Sequence, residues 1–185
     1  WGDSSGFLRD LVISNISAIG TGGWLSAGIW VEDSVVLFDN VSVDRSDTGI
    51  WVQHISETVS TRPTFWDTTV TNSMYRGVMV EQTNRSNFIS PLNAIFENLE
   101  VRGSGGPGAK TPGLCYHAIG VNTSGIDITD SRAIDNVCNG FKAYMIDSAT
   151  IVDNLTIVNS GNPVSTSNND RAGLFMRSAS WASQF

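Results

Sequence analysis

The chain has 185 residues, enough for one domain with a substantial core, and its hydrophobic content of 41% argues against disorder. Only 16% of the residues are charged, and the net charge of −7 excludes a nucleic-acid backbone or an anionic membrane surface as the main partner. Asn, Ser, Thr and Gly carry the polarity instead, which is typical of β structure with many turns.

The elements predicted along the chain fall into two interleaved series. The first series starts with Gly, continues with alternating residues, and recurs at a mean spacing of roughly 29 residues. Its six copies are residues 28–32, 49–53, 77–81, 113–117, 140–144 and 173–177. The second series has copies at residues 13–16, 38–41, 66–69, 96–99, 128–131 and 152–155. Apolar and polar residues alternate in each copy, which predicts short strands and not helices.

Short strands that recur at this spacing cannot bury a face alone, so they must stack. Stacking gives parallel sheets, and parallel crossovers are right-handed. The sequence therefore predicts an all-β fold, a single-stranded solenoid that forms a right-handed parallel β-helix of about six coils. Asparagines in one register of the second series are expected to line a tight turn. The predicted register is Asn15, Asn40, Asn98 and Asn154, with Thr68 and Ser131 as substitutes.

We expect one β-helix domain over residues 1–185, and the uncapped pattern at both ends indicates a segment of a longer protein. Cys115 and Cys138 fit neither a zinc ribbon nor a redox pair. A disulfide between neighbouring coils and two unpaired structural thiols both remain open.

Residues 11–177 resemble the pectin-lyase-like superfamily of right-handed β-helix repeat proteins, and residues 128–141 are similar to coils of alginate epimerases and phage tailspikes. The resemblance implies action on acidic or complex polysaccharides by elimination, hydrolysis or epimerisation. It also implies an extracellular, cell-surface or virion location and, for a tailspike-like member, a homotrimer. The Asp-Pro-His-Glu stretch of the epimerases, the Gly-His-Gly and paired-aspartate signatures of polygalacturonases and the pectate-lyase motifs are missing. The likeness is therefore to a scaffold and not to an active site.

The first series predicts which side chains face outward. If residues one and three after each Gly point inward, residues two and four form two exposed columns. The first column is Trp30, Trp51, Met79, Cys115, Lys142 and Phe175, and the second is Glu32, Gln53, Glu81, His117, Tyr144 and Arg177. Trp30, Trp51, Gln53 and Arg177 are candidates for binding a polysaccharide. The alternative is that a loop or another subunit covers these aromatic residues.

Two catalytic sites are conceivable on these columns. In an elimination, His117 or Lys142 would act as the base and Tyr144 as the acid. In a hydrolysis, Glu32 and Glu81 would stand two coils apart, about 9.6 Å at about 4.8 Å per coil, near the upper limit for an inverting pair. In both cases the alternative is an ordinary polar residue on a solvated face.

No cofactor is required by this sequence, although Ca²⁺ could bind a column of carboxylates in the second series. That column is Asp39, Asp67, Glu97, Asp130 and Asp153, for which turn capping is the commoner explanation. His54 is expected in a loop. Two functions follow as hypotheses: a carbohydrate-recognising domain that could also cleave its polysaccharide, and a structural solenoid of a shaft, adhesin or surface fibre without chemistry.

Overall fold

The structure is a computed structural model that describes residues 4–16, 27–54, 62–82, 93–104, 117–123, 125–144, 149–161 and 172–177. Within these ranges the chain forms sixteen strands and no helix, so none that could cross a membrane. Every strand pairing is parallel. The predicted all-β class with parallel sheets is confirmed.

The strands belong to two sheets. Sheet A contains β1 (Ser4–Ile16), β3 (Ser34–Ser46), β5 (Thr64–Trp66), β6 (Thr69–Thr71), β8 (Asn93–Glu97), β9 (Glu100–Arg102), β11 (Gly125–Thr129), β12 (Arg132–Ile134), β14 (Ala149–Asp153) and β15 (Thr156–Val158). Sheet B contains β2 (Ala27–Glu32), β4 (Thr48–His54), β7 (Arg76–Gln82), β10 (Ile119–Asn122), β13 (Phe141–Tyr144) and β16 (Leu174–Arg177).

The chain visits sheet A and then sheet B six times. We call each such passage a repeat: β1–β2 is repeat 1, β3–β4 is repeat 2, and β5–β7, β8–β10, β11–β13 and β14–β16 are repeats 3 to 6. Each strand pairs with its counterparts in the preceding and following repeats. Equivalent residues of successive repeats therefore form columns across each sheet.

The core consists of columns of apolar side chains that point inward from both sheets. Sheet B contributes two inward columns because apolar residues alternate along its strands, and the first contains Ile29, Ile50, Val78, Ile119 and Phe141. In sheet A, Phe38, Phe65 and Phe96 stack with ring centroids 4.6 and 4.9 Å apart. All three rings are fully buried, so this stack is a large apolar contribution to stability.

A column of alternating Asp and Asn residues makes the bend between the two halves of sheet A. Its members, all in the left-handed conformation, are Asp10, Asn40, Asp67, Asn98, Asp130 and Asn154. Each Asn donates from Nδ2 to the Asp of the preceding repeat, at 2.7 Å (Asn40 to Asp10), 2.6 Å (Asn98 to Asp67) and 2.6 Å (Asn154 to Asp130). Asn and Asp are the residues that best tolerate this backbone conformation. We call this set the Asp/Asn column.

The predicted asparagine register is correct for Asn40, Asn98 and Asn154 and wrong for the other members. Leu8 pairs with Phe38 and Phe38 with Phe65, which places Asp10 and Asp67 in the bend, while Ile128 opposite Phe96 places Asp130 there. Asn15 lies five residues further along β1, and Thr68 and Ser131 lie one residue after the bend and are buried. The turn residues alone did not distinguish these registers, and the buried phenylalanine stack selects one.

A second corner, between sheet A and sheet B, is lined by buried polar side chains that bond along the stack. The Ser46 and Ser73 hydroxyls are 3.2 Å apart, the Ser73 amide donates to Ser104 Oγ, and the Ser104 amide donates to Asn136 Oδ1 at 2.9 Å. These groups satisfy backbone donors that the turn leaves without a sheet partner.

Glycine is the second residue of β2, β4 and β7 in sheet B because the backbones approach closely there. A Cβ on Gly49 would collide with Val70 Cγ1 and with the carbonyl oxygen of Gly77. Gly28 and Gly77 face equivalent contacts. The Gly of the first sequence series is therefore a requirement of packing between the two sheets.

Candidate functional site

Two columns of outward-facing positions run across sheet B. The first outer column contains Trp30, Trp51, Met79, Gly120, Lys142 and Phe175. The second outer column contains Glu32, Gln53, Glu81, Asn122, Tyr144 and Arg177. Five of the six repeats thus carry the residues predicted from the sequence.

Repeat 4 departs from the predicted register. The strand that pairs with Val78–Glu81 is Ile119–Asn122, so Gly120 and Asn122 take the positions predicted for Cys115 and His117. Ala118 occupies the place of the glycine, where its carbonyl accepts from the Val78 amide at 2.7 Å. Residues 113–116 lie outside the described residues. The sequence offers two alternating runs in succession, and the pairing with β7 and β13 uses the second.

Trp30 and Trp51 form a parallel stack on sheet B. Their ring centroids are 5.7 Å apart and the rings are inclined by 16°. Trp51 Nε1 donates to Glu81 Oε1 at 2.9 Å, which fixes the orientation of the indole. Trp30 is 60% exposed whereas Trp51 is 5% exposed. The stack therefore presents one rigid aromatic face to solvent, that of Trp30.

The prediction that the whole first outer column is exposed is wrong. Trp51, Met79 and Lys142 are buried, and the Lys142 ammonium lies 5.8 Å from the centroid of the Phe175 ring. The alternative, in which the aromatic residues of this column are covered, agrees with the burial of Trp51 and not with the exposure of Trp30. In the second outer column Glu32 and Arg177 are exposed, and Gln53 and Glu81 are partly buried.

The His117 ring fills the space above Gly120. A Cβ on Gly120 would overlap His117 Nε2 and Cδ2, and it would approach Met79 Sδ at 2.8 Å. Both ring nitrogens are buried, and neither has a hydrogen-bond partner in the described part of the chain. Burial, together with the nearby positive charges of Arg76 and Lys142, lowers the pKa of His117 to about 3. His117 is consequently neutral at neutral pH.

The elimination residues are only partly brought together. His117 lies over Gly120, the Cα partner of Lys142, so these two side chains belong to one cluster with Arg76. The Tyr144 backbone pairs with Asn122 and Arg177, but its side chain lies outside the described residues. A neutral imidazole between two cations can accept a hydrogen bond, although a pKa of about 3 makes it a weak base.

The carboxylates proposed for hydrolysis share one column, with Gln53 between them. Glu32 pairs through its backbone with Gln53, and Gln53 pairs with Glu81, so they are two strand spacings apart as predicted. Glu81 accepts the hydrogen bond from Trp51 and Glu32 is exposed. The two carboxylates therefore have different surroundings, and Glu81 serves at least to orient Trp51.

The predicted calcium column is not one column. Asp39, Glu97 and Asp153 share a column with Arg9, Trp66 and Thr129, whereas Asp67 and Asp130 belong to the Asp/Asn column. Arg9 Nε donates to Asp39 Oδ2 at 2.8 Å. Among the described residues no group of three or more His, Cys, Asp or Glu is placed to hold a metal ion. Asp67 and Asp130 cap the bend.

Two further side chains differ from expectation or resolve an open alternative. His54 is the last residue of β4 and is buried, so the loop assignment is wrong. Burial lowers its pKa. Cys138 is buried and disulfide-bonded, which favours the disulfide over unpaired thiols; Cys115 lies outside the described residues.

Sequence reasoning missed Trp66, which is 41% exposed on the outer face of sheet A. A shallow groove of about 90 Å³ lies on the same sheet and is lined by Arg62, Asn93, Ile95, Ile126, Asp127 and Ile151. The second sequence series aligned Trp66 with Phe38 and Phe96, whereas the strand pairing aligns Phe65 with them. The match between Phe65 and the two other phenylalanines was the signal that could have corrected the alignment.

The fold defines an all-β protein with parallel sheets, and the outer face of sheet B presents the exposed indole of Trp30. No family model, curated protein or solved structure matches the chain.

Proposed function

We propose that the chain is a right-handed parallel β-helix of six coils and that it recognises carbohydrate on the outer face of sheet B. The six repeats and their unbroken parallel registers support the solenoid part of this proposal. The pectin-lyase-like resemblance remains part of the proposal and supplies polysaccharide as the ligand class, without a choice between neutral and acidic chains.

The exposed face of Trp30 is the observation that carries carbohydrate recognition. Trp51 supports the ring from below and is itself fixed by Glu81, so Trp30 loses little freedom when a flat ligand covers it. The C–H groups of a pyranose ring match such an aromatic face. Glu32, exposed in the neighbouring column, accepts hydrogen bonds from sugar hydroxyls. With a carboxylate nearby and a net charge of −7, the face favours neutral glycans over uronates.

Titration calorimetry of Trp30→Ala with a panel of neutral and uronate-containing oligosaccharides tests this proposal. We expect about a tenfold loss of affinity for any glycan that the wild type binds, equivalent to about 1.4 kcal/mol, and partial retention in Trp30→Phe. Trp66→Ala is the matched control, because it removes an exposed indole from sheet A. Equal affinity in Trp30→Ala and the wild type would refute the site.

Polysaccharide cleavage is a further part of the proposal, and an elimination would use His117 or Lys142 as the base. The assay follows new reducing ends together with the ultraviolet absorbance of unsaturated uronates. Both signals indicate a lyase and reducing ends alone indicate a hydrolase. His117→Ala is expected to abolish elimination. Unchanged turnover in this variant would remove His117 from the mechanism.

A structural solenoid is the second candidate function, and the burial of Trp51, Met79 and Lys142 favours it. A shaft or adhesin segment needs a stable stack and no accessible chemistry. Light scattering discriminates here, because a homotrimer that does not depend on concentration supports a tailspike-like shaft. The disulfide at Cys138 supports an extracellular, cell-surface or virion location in either case.

A further inference from the structure

The shallow groove on the outer face of sheet A combines apolar walls with charged groups of both signs. Ile95 and Ile151 lie in one outward column of the sheet, with Asp127 between them. Asn93 and Arg62 line the side of the groove nearer the start of the strands. The groove therefore offers apolar contact, hydrogen bonds and two opposite charges to one small ligand.

Strand pairing places the two charged residues on opposite sides of Ile95. Ile95 of repeat 4 pairs with Thr64 of repeat 3 and with Asp127 of repeat 5. Arg62 lies two residues before Thr64, and its carbonyl accepts a hydrogen bond from Thr64 Oγ1 at 3.1 Å, which holds the backbone at the start of β5. Arg62 and Asp127 thus belong to chain segments two strand spacings apart, about 9.6 Å at about 4.8 Å per spacing. A ligand that lies over Ile95 is within reach of both side chains.

The fold does not use the polar side chains of the groove. Within the described residues, the Arg62 guanidinium, the Asn93 amide and the Asp127 carboxylate have no hydrogen-bond or ion-pair partner. By contrast, Arg9 and Arg102, elsewhere in the same sheet, form ion pairs with carboxylates. Arg62 is exposed, and Asn93 and Asp127 are partly buried. All three side chains are therefore available to a ligand.

The size and chemistry of the groove together define the class of ligand. A cavity of roughly 150 Å³ holds a benzene molecule, so a space of about 90 Å³ holds a smaller apolar group. A guanidinium binds a carboxylate through two parallel N–H···O bonds, and a carboxylate such as that of Asp127 accepts from an ammonium group. A short apolar group that carries both a carboxylate and an ammonium is an amino acid zwitterion.

We propose that this groove binds a small zwitterionic amino acid with a short apolar side chain, such as alanine. The ligand carboxylate pairs with Arg62 and Asn93, its ammonium group pairs with Asp127, and its methyl group contacts Ile95. An exposed ion pair contributes little by itself, so the two charged contacts and the apolar contact must act together. The site is separate from the outer face of sheet B and does not depend on carbohydrate recognition.

NMR titration of the Ile95 and Ile151 methyl groups with alanine tests the proposal. The wild type is expected to show saturable shifts at these methyl groups and none at Ile50, which is buried in sheet B. Propionate and ethylamine each carry one of the two charges of alanine. Each should bind about tenfold more weakly than alanine, because one charge-assisted contact is missing.

Two neutral variants identify which end of the ligand each residue holds. Arg62→Gln should weaken the binding of alanine and propionate and leave that of ethylamine unchanged. Asp127→Asn, which keeps the shape of the side chain, should weaken the binding of alanine and ethylamine and leave that of propionate unchanged. Glu97→Gln is the matched control, because it removes an exposed carboxylate from the same face without touching the groove. Trp30→Ala should bind alanine like the wild type, so this proposal and the glycan site fail separately.

Three results would overturn the proposal. The first is the absence of a saturable shift at any soluble concentration of alanine. The second is an affinity for alanine that neither Arg62→Gln nor Asp127→Asn lowers, which would mean that the ligand does not use the two charges. The third is binding of a neutral monosaccharide but not of alanine, which would make the groove a second carbohydrate site. Circular dichroism of each variant confirms that the fold is retained.

Discussion

The same six repeats form the bend of sheet A and the outer face of sheet B. From one repeat to the next, the residue type varies much less in the bend than on the outer face. In the bend, all six positions are Asp or Asn, all are left-handed, and they alternate along the stack. On sheet B, the first outer column holds two Trp, one Met, one Gly, one Lys and one Phe. The bend allows only residues that adopt one backbone conformation, whereas the outward positions of a strand accept any side chain that its surroundings tolerate. Variation between repeats is therefore concentrated at the outward positions of sheet B.

The largest expected effect separates the inside of a strand from its outside at adjacent residues. Phe65→Ala removes the middle ring of a fully buried stack and should lower the free energy of unfolding by about 3–5 kcal/mol. Trp66→Ala, next in the chain but exposed, should cost under about 1 kcal/mol. Urea denaturation measures both values. Similar losses in the two variants would contradict the assigned register.

The second prediction tests whether His117, on the outer face of sheet B, is shielded from water as the core residues are. The pKa of His117 is about 3 in the folded chain, below the ordinary 6.5, so below pH 6.5 the unfolded chain binds a proton that the folded chain does not. Stability is complete above about pH 6.5 and should fall as the pH approaches 3, by at most about 1.4 kcal/mol per pH unit. His54 contributes with the same sign, because burial lowers its pKa too.

Urea denaturation of the wild type and of His117→Gln between about pH 7 and pH 4 isolates this contribution. The variant carries no ionisable ring, so the difference in stability between the two proteins should change with pH. His54→Gln provides the matched comparison inside β4. Parallel pH profiles for the wild type and His117→Gln would show that His117 is hydrated and titrates normally.

The smallest expected effect concerns the requirement for a left-handed backbone in the bend of sheet A. Asn98→Ala keeps a left-handed φ of 53° without the side-chain hydrogen bond to Asp67, and should cost about 1–2 kcal/mol in unfolding free energy. Asn98→Gly loses the same hydrogen bond, but glycine adopts a left-handed φ without steric cost. It should therefore be more stable than the alanine variant by about 1 kcal/mol. Equal stabilities would mean that the backbone conformation at the bend carries no cost.

Much of the fold could be predicted from the recurrence of short alternating runs. The all-β class and parallel sheets followed from that recurrence, and so did the inward columns of sheet B in five of six repeats. The errors concern register, which a short alternating run does not fix by itself. In repeat 3, Trp66 was aligned with Phe38 although Phe65 takes that position. In repeat 4, two adjacent alternating runs both satisfied the pattern, and the pairing with β7 and β13 selected Ile119–Asn122.

Less of the candidate site than of the fold could be predicted from the sequence. The columns containing Trp30, Glu32 and Gln53 were predicted correctly, but exposure was not, because the covering of Trp51 and Lys142 depends on how distant segments pack. The low pKa of His117 likewise arises from burial and from Arg76, which lies 41 positions earlier in the chain.

The sequence by itself determined which residues alternate, where Gly, Asn and Asp permit turns, and hence that strands must stack to bury their apolar faces. Only the tertiary structure decided which of several equivalent registers is used and which outward side chains meet solvent. The reason is that a short alternating run can pair with its neighbours in more than one register. Burial of the phenylalanine stack and pairing between repeats select one of these registers.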